Sequence, residues 1–321
     1  MSGMKMTRRN FIASASGTIG TLSLTGILLN SLKKPAAGGN SGRSAGRKTI
    51  GLALGSGGAA GFAHIVMLEA FDELGIRPDR VAGSSAGAMI GALYCDGRSA
   101  SGIKELMESM FPFNLNNWRE NLNSGRWRTL PSMLTLPLGE IELFEADKTL
   151  GFLKQEIKAD KFEELKTPLE IVAADYWSRS QRVFASGEIH RPLLGSMALP
   201  GLVRPVEYRG ELLVDGGMVN PVPFDILQAK TDYVIAVNVQ GETSPESDRT
   251  PSFFDSLFNT FRVMQTSILR EKLKQGEPDL YLVPDISDVR VLEFHRAADI
   301  YKRSQPEKDR LKRTLESLID S

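Results

Sequence analysis

Apolar runs broken by glycine set the rhythm of this chain. Thr49 to Leu54 (TIGLAL) is a short uncharged run of the kind that forms a buried strand. The glycine-rich run Gly55-Ser56-Gly57-Gly58-Ala59-Ala60-Gly61 follows, and then a helix is predicted from about Phe62 to Leu74, with Gly75 as its stop and Pro78 beyond. After Pro78 a second extended run ends in Arg80-Val81-Ala82. Ala86 to Cys95 (AGAMIGALYC) is small and apolar, suited to a helix packed closely on a sheet. Strand, turn and helix repeated twice within about fifty residues predict a parallel sheet of the α/β class.

Residues 104–166 lose that rhythm. Met107, Met110, Phe111, Phe113, Trp118, Trp127 and several leucines are scattered there among Pro, Asn and Gly, which reads as an insertion over the sheet, a cap or lid. Later strands are predicted at Leu169 to Ala174, Arg182 to Ala185 and Tyr233 to Val239. A helix from about Phe253 to Lys274 places Phe254, Leu257, Phe258, Phe261, Met264 and Ile268 at spacings of three and four, a stripe that reads as core. No internal repeat is present.

The chain has 321 residues and a formal charge of zero, but the balance is uneven. Eight of the 39 Lys and Arg residues fall in residues 1–48, which hold no acid, so the remainder is mildly acidic. No basic patch there points to nucleic acid. The N-terminal stretch Thr7-Arg8-Arg9-Asn10-Phe11-Ile12, a weakly apolar run to about Leu29 and Lys33-Lys34 resemble a twin-arginine export signal. Residues 1–34 are thus expected to be a targeting segment toward the periplasm or cell envelope, 35–48 a flexible linker and 49–321 the folded domain. Cys95 is the one cysteine, so an internal disulfide is impossible, and His64, His190 and His295 are too scattered to suggest a metal triad.

Two G-x-S-x-G pentapeptides occur, Gly42-Arg43-Ser44-Ala45-Gly46 and Gly83-Ser84-Ser85-Ala86-Gly87. A nucleophile elbow needs a strand running in and a helix running out, because the sharp turn between them holds the hydroxyl away from its own backbone. Ser85 has both, and Gly83 and Gly87 keep the turn free of side chains. Ser44 lies in AAGGNSGRSAGRK, with no apolar run on either side, and reads as linker.

The run from Gly55 to Gly61 could cradle a dinucleotide, but the sixth position of the fingerprint is Ala60, and Asp72 and Glu73 fall inside the first helix rather than at a strand end. Its better use is backbone N–H groups, Gly57 and Gly58 at a helix start, offered to a developing negative charge. For a base, Asp215 ends the short run Leu212-Leu213-Val214 and precedes Gly216-Gly217. His295 would complete a Ser, Asp, His order, although it sits in an amphipathic helical stretch, VLEFHRAADIYKR.

LALGSGGAAGFAHIVML, VAGSSAGAMIGALY, SMALPGLVRPVEYRGELLVDGGMVNPVPFDIL and YVIAVNV together resemble, in order and spacing, the bacterial branch of the patatin-like phospholipases, over about residues 49–300. The resemblance implies a three-layer α/β sandwich with a mainly parallel sheet and an inserted cap. It implies a lipid acyl hydrolase in which Ser85 is the nucleophile, Asp215 its direct base partner, and Gly57 and Gly58 line an oxyanion hole supported by Gly55, Gly61, Gly83, Gly87, Gly216 and Gly217. The implied substrate is a membrane lipid or lipid ester met at a membrane surface, with no metal or organic cofactor. An acyltransferase on the same dyad and a lipid-binding pseudoenzyme are the alternatives. Ala60 departs from the basic residue that many members carry there.

Overall fold

In the computed structural model, residues 48–110, 146–241 and 253–320 are described. The export-like segment, the Ser44 pentapeptide and positions 111–145 of the expected cap lie outside them. The described residues belong to one unit, Gly46–Ser321.

The two predicted strand–turn–helix units are present: β1 (Ile50–Leu54) into α1 (Phe62–Glu73), and β2 (Arg80–Ser84) into α2 (Ala86–Cys95). Helices α3 (Ala100–Met110) and α4 (Ala146–Glu156) stand at the two ends of the region that lacks a sequence rhythm. Then come β3 (Leu169–Asp175), β4 (Ser180–Phe184), α5 (His190–Ser196), β5 (Val206–Tyr208), β6 (Glu211–Asp215), β7 (Tyr233–Val237), α6 (Phe253–Gln275), β8 (Leu280–Leu282) and α7 (Ala297–Ile319).

The strands form one sheet in the order β5-β6-β3-β2-β1-β7-β8, with β4 also on β3. Pairings from β3 through β2, β1 and β7 to β8 are parallel, and those of β4, β5 and β6 are antiparallel. Every residue of β1 is buried, because a central parallel strand is covered on both faces. Ile50, Leu52, Leu54, Val81, Ile171, Ile235 and Val237 point into the larger core with α1, α2 and α7, whereas Ala53, Ala82, Val234 and Ala236 point to the other face, against Phe224, Leu227 and Leu269 of α6. Large residues on one face and small ones on the other set how closely each helical layer approaches.

Helix α6 corrects one expectation. The stripe turned inward is Phe258, Phe261, Gln265 and Leu269, while Met264 is 40% exposed. The inward face holds a glutamine because that face meets a polar loop, described below.

The strand pairing that positions the site is on β3. Its residues Ile171–Asp175 pair with β4, so β4 takes one edge. Leu169–Val172 pair with β2 and Ala173–Asp175 pair with β6, and both must therefore share the opposite edge. Strand β2 ends with Ser84 opposite Val172, and β6, running the other way, ends with Asp215 opposite Ala173. The two strand ends meet head to head on neighbouring residues of β3.

Candidate active site

Ser85 sits at the turn between β2 and α2 with φ +53 and ψ −121, a region that L-residues rarely occupy and that costs on the order of 1–3 kcal/mol. Packing enforces it: a side chain on Gly87 would run into the Leu54 carbonyl. The Ser85 N–H donates to Ser196 Oγ at 2.9 Å. Its hydroxyl is aimed across the strand junction and donates to Asp215 Oδ2 at 2.6 Å.

Asp215 is 2% exposed. Its second carboxylate oxygen accepts the N–H of Gly217 at 2.7 Å, and its own N–H donates to the Ala198 carbonyl at 3.0 Å. A side chain on Gly216 would meet the Val172 carbonyl and Ser84, so only glycine lets β6 close onto β2. Burial pushes the Asp215 carboxyl up to about 6, against the opposing pull of hydrogen bonds from Ser85 and Gly217. At neutral pH it is mostly ionised yet more basic than an exposed aspartate.

The glycine run leaves the end of β1, the strand that pairs with β2. The N–H groups of Gly55, Ser56, Ala59 and Ala60 are taken by the carbonyls of Val237, Pro221, Val291 and Gly57. Those of Gly57 and Gly58 have no acceptor among the described residues. The run is braced from both sides. The Ser56 hydroxyl accepts from Gln240 Nε2 at 3.0 Å and Gln265 Nε2 at 3.2 Å, and beneath it the buried His64 imidazole bonds the Gly55 carbonyl at 2.7 Å. Burial draws the His64 pKa down to about 4, so the ring is neutral and donates from Nε2.

Ser85, Asp215, Gly57, Gly58 and Ala60 line one cavity of about 540 Å³. Its remaining wall is largely apolar, with Met89, Leu106, Phe152, Leu199, Phe258 and Phe294 from six separate parts of the chain. None of the three histidines lines it. His295 is exposed in the short turn Phe294–Arg296, and His190 is buried against the Ile157 carbonyl. No cluster of three or more His, Cys, Asp or Glu suited to a metal ion occurs among the described residues.

The sequence reading missed Ser196. It lies in the SMALPG stretch that carries the resemblance, but what gives it a part in the site is contact with a residue 111 positions away.

An α/β sandwich whose neighbouring strand ends carry a glycine run, an elbow serine and an Asp-Gly-Gly turn defines the class. The chain belongs to the patatin-like phospholipase family, whose model matches residues 52–227. An uncharacterized NTE family protein of Mycobacterium tuberculosis is 32% identical over 222 residues, 68% of this chain and 57% of that protein. Human patatin-like phospholipase domain-containing protein 6 is 34% identical over 200 residues, 61% of this chain and 14% of that protein. This chain thus spans little more than half of the first relative and a small part of the second. Among solved structures, VipD from Legionella pneumophila aligns with a TM-score of 0.45 at 15% identity, covering 82% of this chain and 67% of that one.

Proposed function

We propose that this protein is a lipid acyl hydrolase that works through a Ser85–Asp215 dyad. The observation that carries the reading is the 2.6 Å hydrogen bond from the Ser85 hydroxyl to a buried carboxylate, at the wall of an apolar cavity. Asp215 takes the proton as Ser85 Oγ attacks the ester carbonyl. The oxyanion is received by the N–H groups of Gly57 and Gly58, where one such donor is worth roughly 3–4 kcal/mol of barrier. Asp215 returns the proton to the departing alcohol. It then takes a proton from water attacking the acyl-serine and passes it to Ser85 Oγ as the acyl–oxygen bond breaks, which frees the fatty acid and restores both residues.

An ester suits this machinery because an alkoxide leaves more readily than an amine, and a carboxylate near pKa 6 is a modest base. The apolar wall supplies room for an acyl chain, and Phe152 and Leu153 of α4 support the reading of 104–166 as a cap. The twin-arginine-like residues 1–34 support export to the cell envelope, which replacement of Arg8 and Arg9 by Lys would test: a chain that still leaves the cytoplasm contradicts it. Release of fatty acid from a short-chain ester and from phospholipid by the intact protein, lost in Ser85→Ala and Asp215→Asn, tests the activity.

A further inference from the structure

The end of the sheet that holds the dyad also carries the most exposed aromatic side chains described. β3 runs parallel to β2, so the turn after β3, residues 176–179, lies at the same end of the sheet as Ser85. β6 is antiparallel to β3, which brings the turn before it, Arg209 and Gly210, to that end too, and Tyr176 N–H donates to Leu212 O at 2.8 Å to tie the two turns together.

In the first turn Trp177 is 75% and Tyr176 49% exposed, and their rings stack edge to face at 4.9 Å. The turn is built to present them. Asp175 folds its carboxylate inward, accepting from the Ser178 hydroxyl and from the N–H groups of Trp177 and Ser178, so the acid is spent inside the turn. Val183 on β4, opposite Val172 further down the same hairpin, is exposed as well. Arg179 and Arg209 occupy the tips of the two turns, both exposed, both at φ near +50, and neither paired with a carboxylate among the described residues. Holding aromatic rings in water is unfavourable, and nothing in the turn's own packing requires it.

We propose that the two turns, 176–179 and 209–210, form a tip that docks on an anionic phospholipid bilayer. Trp177 and Tyr176 enter the boundary between headgroups and acyl chains, where amphipathic rings are favoured, and Arg179 and Arg209 meet headgroup phosphates. Cations beside aromatics, with Asp175 turned inward and Glu211 paired with Arg182, match the negative surface of such a membrane. The inference extends the lipid-ester reading by placing the dyad end of the sheet against its substrate's source.

The test uses the full chain carrying Ser85→Ala, so that lipid is bound and not consumed, floated with vesicles of phosphatidylcholine alone or mixed with phosphatidylglycerol. Tyr176→Ala with Trp177→Ala is expected to lower partitioning roughly tenfold on both, and Arg179→Gln with Arg209→Gln to lower it only on the mixed vesicles. An unaltered thermal midpoint shows that the variants fold. As a second readout, in a chain with Trp118→Phe and Trp127→Phe, mixed vesicles should shift Trp177 emission to the blue. The proposal is overturned if the parent floats with neither vesicle, if the aromatic double variant floats like the parent, if Trp177 emission stays unchanged, or if the variant loses self-association while keeping vesicle binding, which would make the tip a contact between copies. Turnover of a soluble ester by the Ser85-intact chain is scored separately: a protein inert there but bound through the tip loses the hydrolase reading and keeps this one.

Discussion

Ser196 Oγ accepts the backbone N–H of Ser85 at 2.9 Å. Two residues later the Ala198 carbonyl accepts the N–H of Asp215 at 3.0 Å. One short segment at the end of α5 therefore holds both members of the proposed dyad. Ser196→Ala leaves a half-buried N–H without a partner, which costs about 1–2 kcal/mol of stability. Loosening the elbow should lower kcat roughly 10- to 100-fold with little change in KM, since sub-ångström placement matters most in the transition state. Steady-state kinetics on a short-chain ester check this, and a change confined to KM would count against it.

The strain at Ser85 gives a second expectation. Ser85→Gly and Ser85→Ala both lack the hydroxyl, but only glycine relaxes at φ +53. Ser85→Gly should be more stable than Ser85→Ala by about 1 kcal/mol in urea unfolding. Equal stabilities would mean that the turn is not strained.

The elevated Asp215 pKa makes both activity and stability depend on pH. Only the ionised carboxylate accepts the Ser85 proton, so kcat/KM should rise with pH, reach half its plateau near pH 6 and level off above it. For stability the sign is opposite. The folded carboxyl holds its proton more tightly than the unfolded one, so its contribution is full below the unfolded value of about 3.9 and is lost as pH rises through about 6, a change on the order of 3 kcal/mol. Asp215→Asn should therefore melt higher than the parent at pH 8, with the gap closing toward pH 4. Parallel melting curves across that range would remove the argument from burial.

Packing at the elbow allows no side chain on Gly87, which abuts the Leu54 carbonyl. Gly87→Ala should cost about 3 kcal/mol and shift the urea midpoint accordingly. Cys95 is buried with its thiol pKa raised by desolvation, and Cys95→Ala should leave turnover nearly unchanged while lowering stability modestly.

The first half of the site was readable along the chain because its signals are local. Apolar runs mark β1, β2 and α2, and glycine spacing marks the turns between them. Asp215 was readable only as part of a motif, since its approach to Ser85 depends on β2 and β6 sharing one edge of β3, a pairing across 130 positions. Strands β5 and β8, three residues each, are too short for an alternating pattern to register. Helix α5 is hidden because its residues are almost all buried and so show no polar face. On α6 the stripe was read with Met264 inward, but Gln265 turns in to reach Ser56, a partner supplied by the glycine run.

The most direct measurement is fatty acid release from a short-chain ester and a mixed phospholipid by the parent, Ser85→Ala, Asp215→Asn and His295→Ala. The dyad account predicts that the parent and His295→Ala release acid at comparable rates while Ser85→Ala and Asp215→Asn fall at least about a thousandfold. An inert parent, or loss of activity in His295→Ala with Asp215→Asn still active, would contradict it.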